Sequence, residues 1–224
     1  MRRFLSILLC AAVFQGSMAA QSFVQLGRYR NDNEQLAKPA KKSARTVFMG
    51  DSITDFWPKR YPEFFTDESR IGRGISGEVT AQMLLRFRQD VIETGAGRVV
   101  ILAGVNDIAL NQGAYNEDYT FGNIVSMVEL AKAHRIKPVL CSALPAKAFG
   151  WRPEVKDAPA KIASLNKRLK EYAAKNHIKY IDYFPFMVAE DGESLNPAYT
   201  MDGVHPNHEG YKVMESVYLK TLKK

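Results

Sequence analysis

The stretch Val47-Phe48-Met49-Gly50-Asp51-Ser52-Ile53-Thr54-Asp55-Phe56-Trp57 begins as a continuous apolar run and breaks abruptly into a glycine, a carboxylate and a hydroxyl. An apolar run without polar alternation reads as a strand buried on both faces, the kind that parallel sheets contain. Such sheets bind their ligands outside the carboxyl ends of the strands, so the Gly50-Asp51-Ser52 junction is the first place to look for chemistry.

The same scheme repeats downstream. A helix expected from near Glu78, with Val79, Met83, Phe87 and Val91 on one face, leads into the apolar run RVVILAG at 98–104. A second, from Glu117 to His134, leads into IKPVLCSAL at 136–144. A third, from Asp157 to Asn176, has Pro159 suited to a first helical turn and a stripe of Ile162, Leu165, Leu169 and Tyr172; it leads into IKYIDYF at 178–184. A last helix is expected after Pro206, carrying Tyr211, Met214, Val217 and Tyr218. The segment just after the first strand reads as turn-rich. Four strands alternating with helices predict an α/β protein whose parallel sheet is covered on both faces.

The chain of 224 residues, 46% apolar and 25% charged, suits one globular domain, placed at 45–224 behind a polar lead-in at 21–44. Residues 1–20 carry Arg2 and Arg3, an apolar run from Phe4 to Phe14 and small residues up to Ala20, the pattern of a secretory signal cleaved near Ala19 or Ala20. That run is shorter than the roughly 18 residues a membrane span requires, and no later segment reaches that length. A secreted or periplasmic protein is expected. Lipidation at Cys10 is not, because Leu9 stands where a small residue belongs. Cleavage leaves Cys141 alone in an apolar strand, where a buried small hydrophobe is the expected role. The formal charge of +7 falls to +5 without the signal, with 29 basic residues against 24 acidic ones. Much of the excess lies near the ends, at Lys38, Lys41 and Lys42 and at Lys220, Lys223 and Lys224. No aromatic residues interleave with a basic run, so a nucleic-acid partner is not expected.

A nucleophilic serine needs a base, a group to orient that base and donors for the developing oxyanion. Ser52 sits in the turn after the first strand. Gly77, in RGISGEVT, marks a helix start where a backbone N–H can approach a substrate. Gly104, Asn106 and Asp107 follow another core strand, and Asn106 offers an amide donor. Asp202 and His205, in DGVHPN, are spaced so that a turn can hold the carboxylate against one imidazole nitrogen while the other faces a serine. All four segments are expected at strand ends.

Gly50-Asp51-Ser52-Ile53, Gly77, Gly104-Val105-Asn106-Asp107 and Asp202-Gly203-Val204-His205 resemble, in order, the four motif blocks of the SGNH or GDSL hydrolases. The likeness covers about Thr46 to Tyr211, and MGDSIT, GISG and DGVHPN are most similar to the platelet-activating-factor acetylhydrolase-like and bacterial carbohydrate-esterase branches. Ile53 replaces the leucine of the namesake motif. The resemblance implies a three-layer α/β/α sandwich around a flavodoxin-like five-stranded sheet. It also implies Ser52 as nucleophile, His205 as base, Asp202 as its orienter, and an oxyanion hole from the Ser52 and Gly77 N–H groups and the Asn106 side chain. No cofactor is required.

Simpler readings stand beside these. Ser52 alone is most simply a helix cap, Asn106 and Asp107 a cap or turn, and Gly77 a relief of crowding. A metal site joining Asp202, His205 and His208 lacks a convincing further ligand. Trp151 and Arg152 lie in a long connection and are candidates for substrate contacts, as are Asp51 and Arg73. The expected function is an exported serine esterase that removes short acyl groups, with acetyl the expected one, from oxygen esters, with small-molecule or glycan esters as substrates. A lysophospholipase or phospholipid acetylhydrolase is the enzymatic alternative, and a non-catalytic glycan-binding protein the alternative of another class.

Overall fold

Strand β1, Thr46–Gly50, is buried along its whole length. Successive side chains of a strand face opposite ways. Phe48 turns to one face and packs edge-on against Trp57, Phe64 and Phe65, with Tyr218 beside them. The computed structural model describes residues 23–36 and 45–223. The signal segment with Cys10, and Lys38, Lys41, Lys42 and Lys224, lie outside the described residues.

β1 pairs in parallel with β2, Arg70–Gly74, on one side and with β3, Arg98–Leu102, on the other. β4, Lys137–Cys141, and β5, Lys179–Ile181, complete a five-stranded parallel sheet of order β2-β1-β3-β4-β5. This is the flavodoxin-like order, in which the chain changes direction across the sheet between β1 and β3, opening a crevice at their carboxyl ends. β2 escapes the apolar-run criterion because it is a half-buried edge strand of sequence RIGRG.

Helix α2, Ser52–Arg60, and the last helix α8, His208–Leu222, pack on one face. The other face carries α3, Thr80–Phe87, α5, Glu117–Ala133, and α6, Ala158–Lys175. Short helices α1, Arg30–Gln35, α4, Val105–Ile108, and α7, Phe184–Met187, lie between. The segment after β1 is thus helical despite its turn-forming composition and an internal Pro58. Burial of Ile53 and Trp57 against the sheet outweighs local preference, as tertiary packing commonly does. The expected apolar stripes are the buried ones: Met83, Phe87 and Val91; Ile162, Leu165 and Leu169; Tyr211, Met214, Val217 and Tyr218.

Two glycines let α2 start where it does. Gly50 and Gly74 are partners in the β1–β2 register. A Cβ on Gly74 would lie 2.1 Å from the Asp55 nitrogen, and one on Gly50 would lie 2.2 Å from Thr54 Oγ1. Only bare backbone admits the first turn of α2 this close to the sheet.

The described part of the lead-in docks on this frame. Tyr29 donates its hydroxyl to Gly74 O, and Gln82 donates its amide to Phe23 O. The Asn33 amide donates to Asp90 Oδ1 at 2.8 Å.

Candidate active site

Asp51 caps α2 by accepting the Ile53 N–H at 2.9 Å, which makes Ser52 the first residue of the helix. A serine there lies at the positive end of the helix, with backbone N–H groups unpaired by the helix itself. The other half of the site comes from the far end of the chain. After a short 3₁₀ turn, Pro197–Tyr199, the loop bends back through Gly203 at φ +80°. Asp202 Oδ1 accepts the backbone N–H groups of Val204 at 3.0 Å and His205 at 2.8 Å, while Oδ2 meets His205 Nδ1 at 2.7 Å. His205 Nε2 lies 2.9 Å from Ser52 Oγ.

This geometry assigns the tautomer. A carboxylate only accepts, so Nδ1 carries the proton and Nε2 presents its lone pair to the Ser52 hydroxyl. Burial tends to raise the Asp202 pKa, but the bonds from His205 and Val204 outweigh it and hold the carboxyl at about 2. The negative charge opposite the imidazole therefore persists at any ordinary pH. Asp202–His205 does not follow a strand, as its motif suggested, but a bend ahead of α8.

Gly77 adopts φ +82° in the connection from β2 to α3. Asn106, 3% exposed, stands at the start of α4 just after β3. Its amide nitrogen donates to Glu78 O at 3.0 Å and its carbonyl oxygen accepts from Asn111 Nδ2 at 3.0 Å. Asp107 has a different task. It accepts from Thr80 N at 3.0 Å, Thr80 Oγ1 at 2.6 Å and Thr120 Oγ1 at 3.2 Å, which caps α3 and ties it to α5.

Of the further candidates, Trp151 alone reaches the imidazole. Its ring is 44% exposed and stacks 6.0 Å from that of His205, with Phe56 on another side at 5.2 Å. Arg152 lies within 3.8 Å of Glu154 at the surface of the loop. Arg73 is not a substrate contact: it is buried beneath the lead-in, where Nε donates to Asn33 Oδ1 at 2.9 Å and the guanidinium lies over the Tyr29 ring.

Asp51 is likewise no substrate contact. It is 1% exposed, and its Oδ2 has no hydrogen-bond partner among the described residues. Around it lies a packing gap lined by Leu102, Ala103, Val105 and Leu144, with no room for a water molecule. Burial, opposed by the Ile53 N–H and reinforced by Asp107 and Glu78, pushes its pKa from 3.8 up to about 7. Between those values the folded chain holds a proton that the unfolded chain releases, so Asp51 lowers stability as pH rises through that window. Asp51→Asn keeps an acceptor for the cap and removes the titration. Its stability relative to wild type is therefore expected to improve from pH 4.5 to pH 7.5. Denaturant titrations at both pH values test this, and a pH-independent difference would sink it.

Several residues here went unnoticed in the sequence. Phe56 had a signal, since it lies four positions after Ser52 on one helix face. Arg86 had one too, as a charge beside the apolar stripe of α3. It is fully buried, with Nε on Glu78 Oε2 at 2.6 Å, Nη1 on Asp90 Oδ2 at 3.0 Å and Nη2 on Gly50 O at 3.1 Å. Asn111 had none. Beside Gly77 opens a hollow of about 460 Å³, lined by Phe23, Gln25, Ser76, Glu78, Gln82 and Gln112. Cys141 is buried, and burial pushes its thiol well up, which leaves it unreactive.

Residues 48–213 match the sequence profile of the GDSL-like lipase/acylhydrolase family. The structure superposes on the crystal structure of a GDSL-like lipase from Bacteroides thetaiotaomicron with a TM-score of 0.87 and 53% identity, over 90% of this chain and 98% of that one. A Bacteroides fragilis protein provisionally described as an acylhydrolase gives 0.86 and 56%, over 88% of this chain and 95% of that one. An acetylxylan esterase from Geobacillus stearothermophilus shares the fold, with a TM-score of 0.62 at 19% identity over 83% of this chain and 96% of that one. Among curated sequences, the uncharacterized lipoprotein YqeF of Bacillus subtilis is 32% identical over 78 residues, 34% of this chain and 32% of that protein. The match thus spans about a third of the length of that relative.

Proposed function

The chain belongs to the GDSL-like lipase/acylhydrolase family and is a serine ester hydrolase, and from that premise we propose that Ser52, His205 and Asp202 are its catalytic groups and short-chain oxygen esters, acetyl first, its substrates. The observation that carries this reading is the unbroken contact from Ser52 Oγ through His205 to Asp202, at 2.9 Å and 2.7 Å, at a helix N-terminus.

In this mechanism Ser52 Oγ attacks the ester carbonyl carbon while His205 Nε2 takes its proton. The Ser52 N–H, the Gly77 N–H and the Asn106 amide receive the oxyanion. The tetrahedral intermediate collapses to an acyl-serine, and His205 gives its proton to the departing alkoxide. Water, deprotonated by the same nitrogen, then attacks the acyl carbon; the bond to Ser52 Oγ breaks, Oγ takes the proton back from His205 Nε2, and the carboxylic acid leaves. Asp202 holds the imidazole and offsets its positive charge without taking up the proton.

The surroundings support a neutral, hydroxylated alcohol, such as a sugar, over a lipid. The hollow beside Gly77 is lined largely by amides and hydroxyls, and its Glu78 carboxylate is paired with Arg86. Trp151 presents an exposed ring beside the imidazole that protonates the leaving group. A lysophospholipase would need a long apolar groove in that place. Export follows from the signal pattern in residues 1–20, outside the described residues. Among the described residues no helix is long and apolar enough to cross a membrane.

Hydrolysis of p-nitrophenyl acetate, butyrate and octanoate tests the acyl preference. The kcat/KM for acetate is expected to exceed that for octanoate at least tenfold, the order of discrimination that several methylenes at a small site produce. A preference for octanoate would replace this reading with a lipid esterase.

A further inference from the structure

Asn111 touches both parts of the oxyanion site that Ser52 does not supply. Its amide nitrogen donates to Asn106 Oδ1 at 3.0 Å and to Gly77 O at 3.3 Å, and its carbonyl oxygen accepts the Trp151 indole N–H at 2.9 Å. Both amide hydrogens and the oxygen are therefore engaged.

The chemistry of the two ends sets every orientation between them. An indole N–H can only donate, so Asn111 must turn its oxygen toward Trp151 and its NH₂ toward Gly77 and Asn106. At the far end Glu78 O can only accept, so Asn106 must turn its NH₂ toward Glu78, at 3.0 Å, and its oxygen toward Asn111. The two assignments, made from opposite ends, agree. Flipping Asn111 would set N–H against N–H at Trp151 and oxygen against oxygen at Gly77. One Asn106 hydrogen is spent on Glu78 O, and the second is left for a ligand.

We propose that Asn111 is a positioning residue that holds Asn106 and Gly77 in oxyanion-binding geometry, with the Trp151 indole N–H as its lock. This rests on the reading of Asn106 and Gly77 as oxyanion donors. Trp151 also stacks on His205, so a group resting on its exposed ring reaches both the base and the oxyanion donors through one side chain. Preorganised donors act on the transition state, and loss of one typically costs on the order of 10² to 10³ in kcat.

The test is steady-state hydrolysis of p-nitrophenyl acetate by Asn111→Asp, Trp151→Phe, Asn106→Ala and the double variant Asn106→Ala/Asn111→Asp. Circular dichroism and the thermal midpoint check each fold. Asn111→Asp keeps the acceptor for Trp151 and loses both donors; its kcat is expected to fall about 10²-fold, with KM changed less than about threefold. Trp151→Phe keeps a ring and loses only the lock, so a smaller fall in kcat, about threefold to tenfold, is expected. Because Asn111 acts through Asn106, the double variant should lose far less than the product of the single losses. Asn111→Ala, which removes all three bonds, is read the same way should the aspartate variant fold poorly.

An Asn111→Asp kcat within twofold of wild type, or losses that multiply in full, would overturn the proposal. If Asn106→Ala itself leaves kcat unchanged, the oxyanion reading falls and this inference with it. If Asn106→Ala is impaired while Asn111→Asp is not, the inference falls alone.

Discussion

Ser52→Ala is expected to lower kcat on p-nitrophenyl acetate by roughly 10⁴ to 10⁶ while leaving the fold and the unfolding midpoint close to wild type. Loss of a nucleophile from a serine triad removes the covalent route, and the residual rate then comes from the oxyanion donors and binding alone. The side chain is small and its contact in the site is the hydrogen bond to His205 Nε2 at 2.9 Å. Alanine suits the first turn of a helix, and the backbone N–H of residue 52 remains in place. A folded, inactive variant that still binds an acetylated oligosaccharide would match the mechanism in full. Equal rates for variant and wild type on every ester would refute the triad and favour a carbohydrate-binding role for this fold.

The second large effect concerns stability. Arg86→Met is expected to destabilise the protein by about 3 to 5 kcal/mol, because it leaves two carboxylates buried without their cation. Glu78 and Asp90 flank the guanidinium at 2.6 Å and 3.0 Å, and all three side chains are at most 2% exposed. Burial already raises the Glu78 pKa against the pull of Arg86. Without the arginine, two buried carboxylates lose the guanidinium that offsets their charge. Adding Glu78→Gln and Asp90→Asn to Arg86→Met should recover much of the loss, since a neutral trio no longer carries uncompensated charge. Urea denaturation reads both outcomes. A loss below about 1 kcal/mol for Arg86→Met would show that the buried cluster is not a principal support of the fold.

This cluster also joins the two sides of the site. Arg86 Nη2 donates to Gly50 O, two residues before Ser52, and its partner Glu78 follows Gly77 and carries the carbonyl that holds Asn106. Gly50, just ahead of the serine, and the Glu78 carbonyl that holds Asn106 therefore rest on one ionic support.

Most of the architecture was legible because parallel strands buried on both faces are written as unbroken apolar runs, and the helices over them as stripes of period 3.6. β2 was not legible that way. Edge position leaves it half-exposed, so RIGRG needs no apolar run, and its Gly74 serves the approach of α2 instead. The helicity of Ser52–Arg60 was hidden for the opposite reason: burial of Trp57 overrode a local composition that favours turns.

The same division holds for the site. The proposed reactive groups, Ser52, Gly77, Asn106, Asp202 and His205, could all be named from the sequence, since they lie in short segments whose residue types and spacing suit that chemistry. Tertiary structure alone decided how they meet. Ser52 and His205 stand 153 positions apart and touch because α2 and α8 share one face of the sheet. It also moved Arg73 beneath the lead-in and sealed Asp51 in the core. It brought Asn111 and Trp151, 40 positions apart, into one hydrogen-bonded line with Asn106. Local spacing fixes what a turn or helix presents, whereas the position of an amide between distant loops depends on how the whole sheet and its helices pack.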